Sequence, residues 1–414
     1  MSTEELLPKL RFNGFDDEWS TYKLSELSEQ VKRKKENITD KDNILTISAN
    51  KGFISQKERW DNVIAGKSLK KYTYLKKDEF SYNRGNSKSF KYGCIYRLNY
   101  ENALVPNVYH SFKITNGNIN FFEQLFKSKL LDKQLIKIIT STARMDGLLN
   151  ISAKNFFNID VNIPNNLEEQ KLIGDFLKLI DIKIELLENK YENYLNFKKY
   201  LMQQIFAQKL RFDFDDEWKT MRLNEIVFYQ EGPGVRNYQY TKSGVKLLNV
   251  GNFVNNVLEL DNTDRYISEE EAYGKYNHFL VDEGDLLIAC SGIKAEYFDE
   301  KIAFAEKKHL PLCMNTSTMR FKSLDENLLN LNYLKCYFQT ESFKKQVFSV
   351  MTGSAQFNFG PTHLKYFKIP IPSIDEQKQI YELIGPVDNK ISMINRELVK
   401  VNEFKKALLQ QMFV

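Results

Sequence analysis

Four histidines and four cysteines are the residues of this 414-residue chain best suited to hold a metal or attack a substrate. The histidines lack the HxH or HxxxH spacing that brings two imidazoles to one ion, so a core or surface role is favoured for each. The cysteines form no CxxC pair, which argues against a zinc site and a disulfide framework and favours reduced thiols in a cytosol. These residues are His110, His278, His309, His363, Cys94, Cys290, Cys313 and Cys336.

Two further motifs imitate catalytic sites without completing them. The segment AGKS at 65–68 resembles the end of a phosphate-binding loop, but Asp61 stands where that loop requires glycine. The acidic runs Asp16–Glu18 and Asp215–Glu217 suggest a metal site, yet three consecutive acids cannot all face one ion, so solvated or helix-capping acids are favoured. No NPPY-type or DPPY-type tetrapeptide and no FxGxG segment indicates an adenine methyltransferase. We therefore interpret the chain as a binding protein.

The composition permits a polyanionic partner. A hydrophobic content of 42% is ordinary for a globular chain with two or three domains, and the net charge is +5. Basic residues cluster at 32–35 and 67–71 among 22 tyrosines and 30 phenylalanines. This interleaving suits a nucleic-acid surface, and solvated lysines over an aromatic core are an equally good interpretation. The N-terminus is unlike a signal peptide and no apolar stretch is long enough to cross a membrane, so we expect a cytoplasmic protein.

The elements that must position any binding residue are duplicated. The phrase LRFNGFDDEW at 10–19 returns as LRFDFDDEW at 210–218, and a block at 163–206 returns at 371–413. The end of the first long block runs directly into the second LRF phrase. The second long block ends the chain, with the first LRF phrase near the N-terminus. The repeat therefore closes on itself and predicts that the two termini lie close together.

The long block predicts a helix in each copy. Ile-Pro and a short polar stretch precede acids at the start of the block, as at a helix N-terminus, and Ser373 with Glu376 fits a capping box. Apolar residues then recur at alternating steps of three and four, typical of helices packed along one seam. Closure of the repeat requires the two helices, each roughly 55 Å long, to run antiparallel.

Two irregularities are expected in these helices. An extra three-residue step before Phe197 and Phe404 interrupts the heptad and predicts local overwinding. Pro386 should kink the second helix or begin it afresh.

The segments between the repeated blocks predict two mixed α/β domains. Each holds short β-branched or aromatic runs bounded by turn residues, followed by a more helical stretch. We predict an α+β fold: two mixed domains separated by two long antiparallel coiled-coil helices, as a pseudo-two-fold tandem repeat. The expected boundaries are 1–160 for the first domain, 161–208 for the first helical spacer, 209–368 for the second domain and 369–414 for the second spacer.

With these motifs laid out, the chain resembles the specificity subunits of type I restriction-modification enzymes. The resemblance is carried by the LRF…DDEW phrases and by the paired segments beginning IPNNLEEQ and IPSIDEQ, which close with QQIF and QQMF. The stretch VDEGDLLIACSG at 281–292 also looks like part of a target recognition domain. Its counterpart in the first domain reads KDEFSYNRGNSKSF at 77–90, so the first readout loop departs from the pattern.

The resemblance implies a non-catalytic subunit with two target recognition domains, each of which reads half of a bipartite, asymmetric DNA site. The helices would set the gap and dock two methylation subunits. S-adenosylmethionine would be bound by those partners, and ATP with Mg²⁺ by two restriction subunits. The expected helix-frame residues are Glu169, Gln170, Leu177, Ile184, Gln204, Glu376, Gln377, Ile384, Ile391 and Gln411. Trp19 and Trp218 are expected to be buried where helix and domain join.

Contacts of such a reader divide into phosphate anchoring and base reading. Lysines of the basic clusters suit phosphates, whereas forked and amide groups suit base edges. Phosphate candidates are Lys32–Lys35, Lys67, Lys70, Lys71 and Lys294. DNA-binding candidates are Arg84, Asn86, Lys88 and Arg144 in the first domain and Arg236, Ser291, Lys294, Gln356 and Asn358 in the second.

Two other interpretations stay open at this point. One is a non-catalytic coiled-coil scaffold whose end domains bind proteins, which predicts no salt-sensitive DNA affinity. The other is an enzyme with its own nuclease or methyltransferase site, for which the chain shows no motif.

Overall fold

The computed structural model describes residues 6–39, 43–57, 66–139, 148–350 and 357–414. The chain divides into two compact units, Met1–Glu188 with Glu397–Val414 and Asn189–Arg396. The two points at which the chain passes from one unit to the other lie inside the long helices and not at the domain boundaries derived from the repeat. Those boundaries therefore stay predictions. No helix in the described ranges is long and apolar enough to cross a membrane.

The first unit is built on a four-stranded antiparallel sheet with aromatic packing. Phe80 and Phe112 stack with ring centroids 5.6 Å apart, and Phe126 contacts both rings edge-on. The strands of this sheet, in spatial order, are Ser28–Gln30, His110–Ile114, Phe80–Asn83 and Cys94–Arg97. The unit also contains the paired strands Leu45–Ser48 with Gly52–Ser55 and Thr73–Lys76 with Asn102–Val105, and the helices Leu24–Leu27, Ile119–Lys127, Asp132–Ile138 and Ala153–Phe157.

The second unit has a four-stranded antiparallel sheet of the same kind. Phe321 of the sheet packs edge-on against Phe338 at 5.5 Å, and Phe338 stacks on Phe343 at 4.4 Å. The strands in spatial order are Val227–Glu231, Thr318–Ser323, Leu286–Ala289 and Ile302–Phe304. The unit also contains a three-stranded sheet, Tyr266–Ile267, Val245–Leu247 and Leu312–Cys313, the pairs Phe253–Val254 with Val257–Leu258 and Ser291–Ile293 with Phe357–Asn358, and the helices Leu223–Ile226, Glu269–Tyr273, Leu331–Phe338 and Glu341–Val350.

A matched strand pair leads into each long helix. Ser20–Lys23 pairs antiparallel with Asp160–Ile163, and Lys219–Arg222 pairs with Lys368–Ile371 in the same way. The second strand of each pair ends at an isoleucine that precedes a proline, a position that favours an extended backbone. The first long helix then covers Leu167–Phe206 and the second Ile374–Gln411.

A buried glutamate at the start of each long helix binds the repeated LRF…DDEW phrase. Glu169 is 1% exposed and accepts hydrogen bonds from Arg11 Nε at 2.6 Å and Nη2 at 2.9 Å, while Trp19 Nε1 lies 3.4 Å away. In the second copy Glu376, also 1% exposed, accepts from Arg211 and from Trp218 at 3.0 Å. We call each set of three a junction triad.

In each copy, the arginine of the junction triad also contacts the acidic run of the LRF…DDEW phrase. Asp17 and Asp216 are exposed, and the backbone carbonyl of each accepts from the triad arginine at 2.7 Å. Trp19 is 2% exposed, as expected, whereas Trp218 is only half-buried. The capping box is half present: Ser373 accepts from the Glu376 backbone at 3.3 Å, but the Glu376 carboxylate binds Arg211 and Trp218.

The glutamine after each glutamate connects the long helix to a domain helix. Gln170 donates to the Pro164 carbonyl at 2.8 Å and accepts from the Asn118 backbone at 2.8 Å. Gln377 likewise donates to the Pro372 carbonyl at 3.0 Å and accepts from the Asn330 backbone at 2.9 Å. Asn118 and Asn330 are the N-caps of Ile119–Lys127 and Leu331–Phe338. Glu169, Gln170, Glu376 and Gln377 are therefore buried parts of the frame.

A backbone hydrogen bond joins the two ends of the chain, and an equivalent hydrogen bond is formed in the middle of the chain. Leu10 N donates to the Gln411 carbonyl at 2.9 Å, and Leu210 N donates to the Gln204 carbonyl at 3.1 Å. Both pairs join the end of a long helix to an LRF phrase. The predicted closure of the repeat is therefore present.

Within each unit the two long helices pack antiparallel. In the first unit Asp181 contacts Lys405 and Lys183 contacts Glu397, so residue numbers rise along one helix as they fall along the other. In the second unit Leu201 packs with Val387 and Ile391. The second helix continues through Pro386, so it does not begin afresh there, and the predicted kink stays a prediction. Of the predicted frame residues, Leu177, Ile384 and Ile391 are buried and Ile184 is half-buried.

The predicted interruption of the heptad is wrong, because lysines occupy the seam positions. Phe197 is 49% exposed and Phe404 is 54% exposed, whereas the neighbouring Lys198 and Lys405 side chains are only 11% and 12% exposed. Taking the lysines as core residues restores unbroken steps of four and three in both helices. The apolar pattern alone favoured the phenylalanines because it assigns lysine to solvent.

Each seam lysine is paired with an aspartate of the other helix. Lys198 donates to Asp388 at 2.5 Å and to Gln339 at 2.6 Å, and Lys405 binds Asp181, which Lys127 also contacts at 2.9 Å. Burial alone would raise the pKa of Asp181, but Lys127 and Lys405 outweigh burial and lower it. Burial lowers the pKa of Lys405, against the effect of Asp181. Each seam thus contains an ion pair between the two long helices.

We predict that Glu169→Gln lowers the free energy of unfolding of the full chain by about 3 kcal/mol, because Arg11 then remains partly buried without its carboxylate. Chemical denaturation measures this change. Glu168→Gln, on the exposed neighbouring residue, is the matched control and should change stability by less than about 0.5 kcal/mol. Equal stabilities of the two variants would contradict a structural role for the junction triad.

Candidate nucleic-acid interface

In the second unit, one edge of the four-stranded sheet gathers most of the predicted DNA-binding residues. Because the strands are antiparallel, the carboxyl ends of Val227–Glu231 and Leu286–Ala289 and the amino end of Thr318–Ser323 lie at this edge. The chain continues from it into Ser291–Ile293, which pairs with Phe357–Asn358. We call this the second edge.

Ser291 and Asn358 meet at the second edge. The Ser291 hydroxyl lies 2.6 Å from Asn358 Oδ1, and the Gly292 backbone N–H donates to the same oxygen at 3.3 Å. Asn358 is exposed, Ser291 is half-buried, and Lys294 is exposed one residue beyond the strand. The structure thus brings two predicted residues onto paired strands and the third, Lys294, next to them.

Two other predictions for the second unit have different outcomes. Arg236 is exposed on the segment that leaves the second edge after Glu231, and its backbone N–H donates to Gln239 at 3.0 Å. Gln356 lies outside the described residues. Glu231 itself was missed: it is half-buried at the end of its strand, and burial raises the pKa of its carboxyl group.

The first unit has an equivalent edge with different side chains. The carboxyl ends of Ser28–Gln30 and Phe80–Asn83 lie beside the amino end of His110–Ile114. Gly85 forms a bridge with Leu148, in the place where Ser291 meets Asn358 in the second unit. We call this the first edge.

The loop that follows the first edge contains one polar side chain that bonds within the unit and two polar side chains that are exposed. Arg84 donates to the carbonyl of Val108 at 3.0 Å and to that of Ile151 at 3.3 Å, so its guanidinium holds neighbouring segments together. Asn86 and Lys88 are exposed. Arg144 lies outside the described residues.

The basic run at 32–35 is partly used inside the first unit. Arg33 binds Glu79 and the Tyr74 carbonyl, Lys34 binds the Lys71 carbonyl, and Lys35 lies over the Tyr74 ring at 5.6 Å. Lys32, Lys70 and Lys71 are exposed. The side chain of Lys67 lies outside the described part of the chain. Fewer cations than the composition suggests are therefore available to phosphates.

The described residues offer binding groups more than reactive ones. All four cysteines are buried, and burial raises the pKa of the Cys94 and Cys313 thiols to about 12. Burial also lowers the pKa of His110, which lies 3.2 Å from the Ile151 carbonyl. No group of three or more possible metal ligands occurs within the ranges that the structure describes. Amides, hydroxyls and ammonium groups at the two edges can form directional hydrogen bonds.

Gly292 shapes the second edge but is not among the predicted residues, although the sequence contains a signal for it. Gly292 has a φ of 73°, a conformation that favours glycine, and it directs its N–H to Asn358. The Ser-Gly dipeptide after the apolar run 286–289 is a turn signal that could have identified it.

We predict that Arg84→Ala lowers the free energy of unfolding by about 1–2 kcal/mol, because two carbonyls lose a charged donor. Lys88→Ala, four residues along the same loop, should leave stability within about 0.5 kcal/mol of the unchanged chain. Urea denaturation compares them. Unchanged stability of Arg84→Ala would remove the structural interpretation and return Arg84 to the base-reading candidates.

Comparisons with known proteins agree with this architecture. Residues 215–403 match the model of the type I restriction modification DNA specificity domain. The MjaVIII specificity subunit of Methanocaldococcus jannaschii is 25% identical over 297 residues, which cover 69% of this chain and 68% of that protein. The putative MjaX specificity subunit of the same organism is 25% identical over 222 residues, 53% of this chain and 48% of that protein.

A solved structure shares the fold of nearly the whole chain. The S subunit of a type I restriction-modification system from M. genitalium has a TM-score of 0.66 at 15% identity, and the match covers 98% of this chain and 99% of that one. The predicted fold class is confirmed. The chain is similar to DNA specificity subunits of type I restriction-modification systems, and the match to the family model lies within its second half.

Proposed function

We propose that each domain reads one half of a bipartite, asymmetric DNA site through its sheet edge. The observation that carries this proposal is the contrast between frame and edge. The junction triads and the glutamine contacts are the same in both copies, whereas the first edge pairs Gly85 with Leu148 and the second pairs Ser291 with Asn358. Edges of different chemistry on one duplicated frame suit two different half-sites.

Side chains at the edges match the two classes of DNA contact. Exposed lysines such as Lys32, Lys88 and Lys294 suit phosphate oxygens, which fix orientation without reading sequence. The exposed Asn86, Arg236 and Asn358 suit base edges in the major groove. The long helices, of 40 and 38 residues, would set the gap between half-sites.

The first long helix carries an exposed apolar stripe that suits a methylation subunit. Leu172, Leu179 and Leu186 recur every seven residues and are 45%, 65% and 63% exposed, and Ile182 beside them is 42% exposed. Contiguous exposed apolar side chains on a helix indicate a protein contact. We propose that a methylation subunit docks on this stripe, and the resemblance to specificity subunits implies two such subunits on the helical frame.

The chemistry is assigned to partners. In this proposal the chain supplies no catalytic group and directs adenine methylation and restriction by other subunits. S-adenosylmethionine would be bound by the methylation subunits, and ATP with Mg²⁺ by two restriction subunits. A non-catalytic scaffold whose end domains bind proteins is the alternative, and the exposed stripe at 172–186 fits either function.

We predict that the full chain with its methylation subunit binds double-stranded DNA with an affinity that falls at least tenfold between 50 and 200 mM salt, because phosphate contacts release counterions. A gel-shift assay at both concentrations measures this. Sequencing of methylated adenines in cells that express the complex should reveal one bipartite motif. Salt-insensitive or absent binding would favour the scaffold.

We predict that Leu179→Lys together with Leu186→Lys weakens association with the methylation subunit at least tenfold, because two side chains that would be buried on docking become charged. The stability of the isolated chain should stay within about 1 kcal/mol, since both leucines are exposed. Analytical ultracentrifugation measures the association. Leu324→Lys, on a leucine 61% exposed elsewhere, is the control. Association of both variants equal to that of the unchanged chain would exclude this stripe.

A further inference from the structure

Ser291 and Asn358 act as one hydrogen-bonded pair at the second edge. The Ser291 hydroxyl and the Gly292 N–H both donate to Asn358 Oδ1, at 2.6 and 3.3 Å. A carbonyl-type oxygen has two lone pairs, so these two donors use its accepting capacity. The Gly292 N–H also determines which amide atom faces the strand, because an N–H cannot bond to an NH₂ group.

The NH₂ group is what remains of Asn358 for a ligand. The residue is exposed, and no acceptor in the described part of the chain bonds to its Nδ2. Its amide oxygen is held by two donors of the neighbouring strand, so less rotamer freedom is left to lose on binding. Asn358 is thus a preorganised donor.

We propose that Asn358 donates through Nδ2 to a guanine of the second half-site, with Ser291 as the residue that positions it. This inference rests on the proposed function. Guanine presents two neighbouring acceptors in the major groove, N7 and O6, whereas adenine presents one acceptor beside a donor. An asparagine that reads adenine uses its oxygen and its NH₂ together, and the oxygen of Asn358 is already occupied.

Space at the second edge is compatible with a base. Gly292 has a φ of 73°, and a Cβ built on it would meet no atom of the described residues within 4 Å, which leaves room beside Asn358 in that part of the chain. The first edge offers an internal contrast. Gly85 and Leu148 stand at the matching bridge and carry no hydroxyl or amide, so this reading belongs to the second half-site alone.

The test uses the full chain expressed with its methylation subunit in cells without other adenine methylation, followed by sequencing of methylated adenines. In Asn358→Ala, one guanine position in one half-site should lose its preference about tenfold or more while all other positions stay unchanged. In Ser291→Ala the Gly292 N–H keeps one lone pair of the Asn358 oxygen and the other is freed for the donor of adenine, so adenine should become accepted at the same position. Asn327→Ala, an exposed asparagine elsewhere in the domain, should leave the motif unchanged.

Several outcomes would overturn the inference. An unchanged motif in both variants, or methylation reduced uniformly at an unchanged motif as expected for a phosphate contact, excludes base reading by Asn358. If Asn358→Ala fails to fold in a thermal melt, Ser291→Ala alone decides, because it removes one hydroxyl and keeps the asparagine. No bipartite motif with the unchanged chain would instead defeat the proposed function, and this inference with it.

Discussion

A buried carboxylate at the start of each long helix is the constraint on which the rest of the structure depends. A helix N-terminus favours negative charge, but a carboxylate that is 1% exposed is stable only if donors satisfy it. Arg11 and Trp19 do so for Glu169, from a segment more than 140 residues away in sequence. The chain must therefore bring the LRF phrase, the closing strand pair and the helix start to one place.

This constraint explains why the domains could diverge while the frame did not. The frame contacts of a domain involve its two closing strands and the N-cap of one helix, Asn118 or Asn330. These contacts do not involve the side chains of the first edge or the second edge. Substitutions at the edges can alter ligand preference at little cost to the junctions.

The sequence was sufficient to predict the long helices, their antiparallel course, the closure of the repeat and the mixed domains. Repetition and apolar periodicity can be detected in the sequence without knowledge of the fold. It was insufficient for Lys198 and Lys405. A lysine in a helix seam is stable only through a partner such as Asp388, and the partner lies on the other helix, where periodicity cannot reveal it.

The candidate interface was harder to predict for a similar reason. Residue type selected Ser291 and Asn358 as separate DNA-binding candidates, but the bond that joins them links positions 67 residues apart. The same criteria selected Arg84 and the basic run, although Arg84 and Arg33 bind groups inside their own unit. Chemistry that suits DNA also suits a backbone carbonyl, and only the folded neighbourhood distinguishes the two.

The bond between Leu10 and Gln411 has a topological consequence. It is the counterpart of the bond between Leu210 and Gln204, where a short segment of the chain joins the two bonded residues, whereas Leu10 and Gln411 belong to different halves of the repeat. The order of the two halves along the gene is therefore not imposed by any junction contact. A permuted chain that begins near residue 209 and joins the present ends would retain both junction triads and both seam ion pairs.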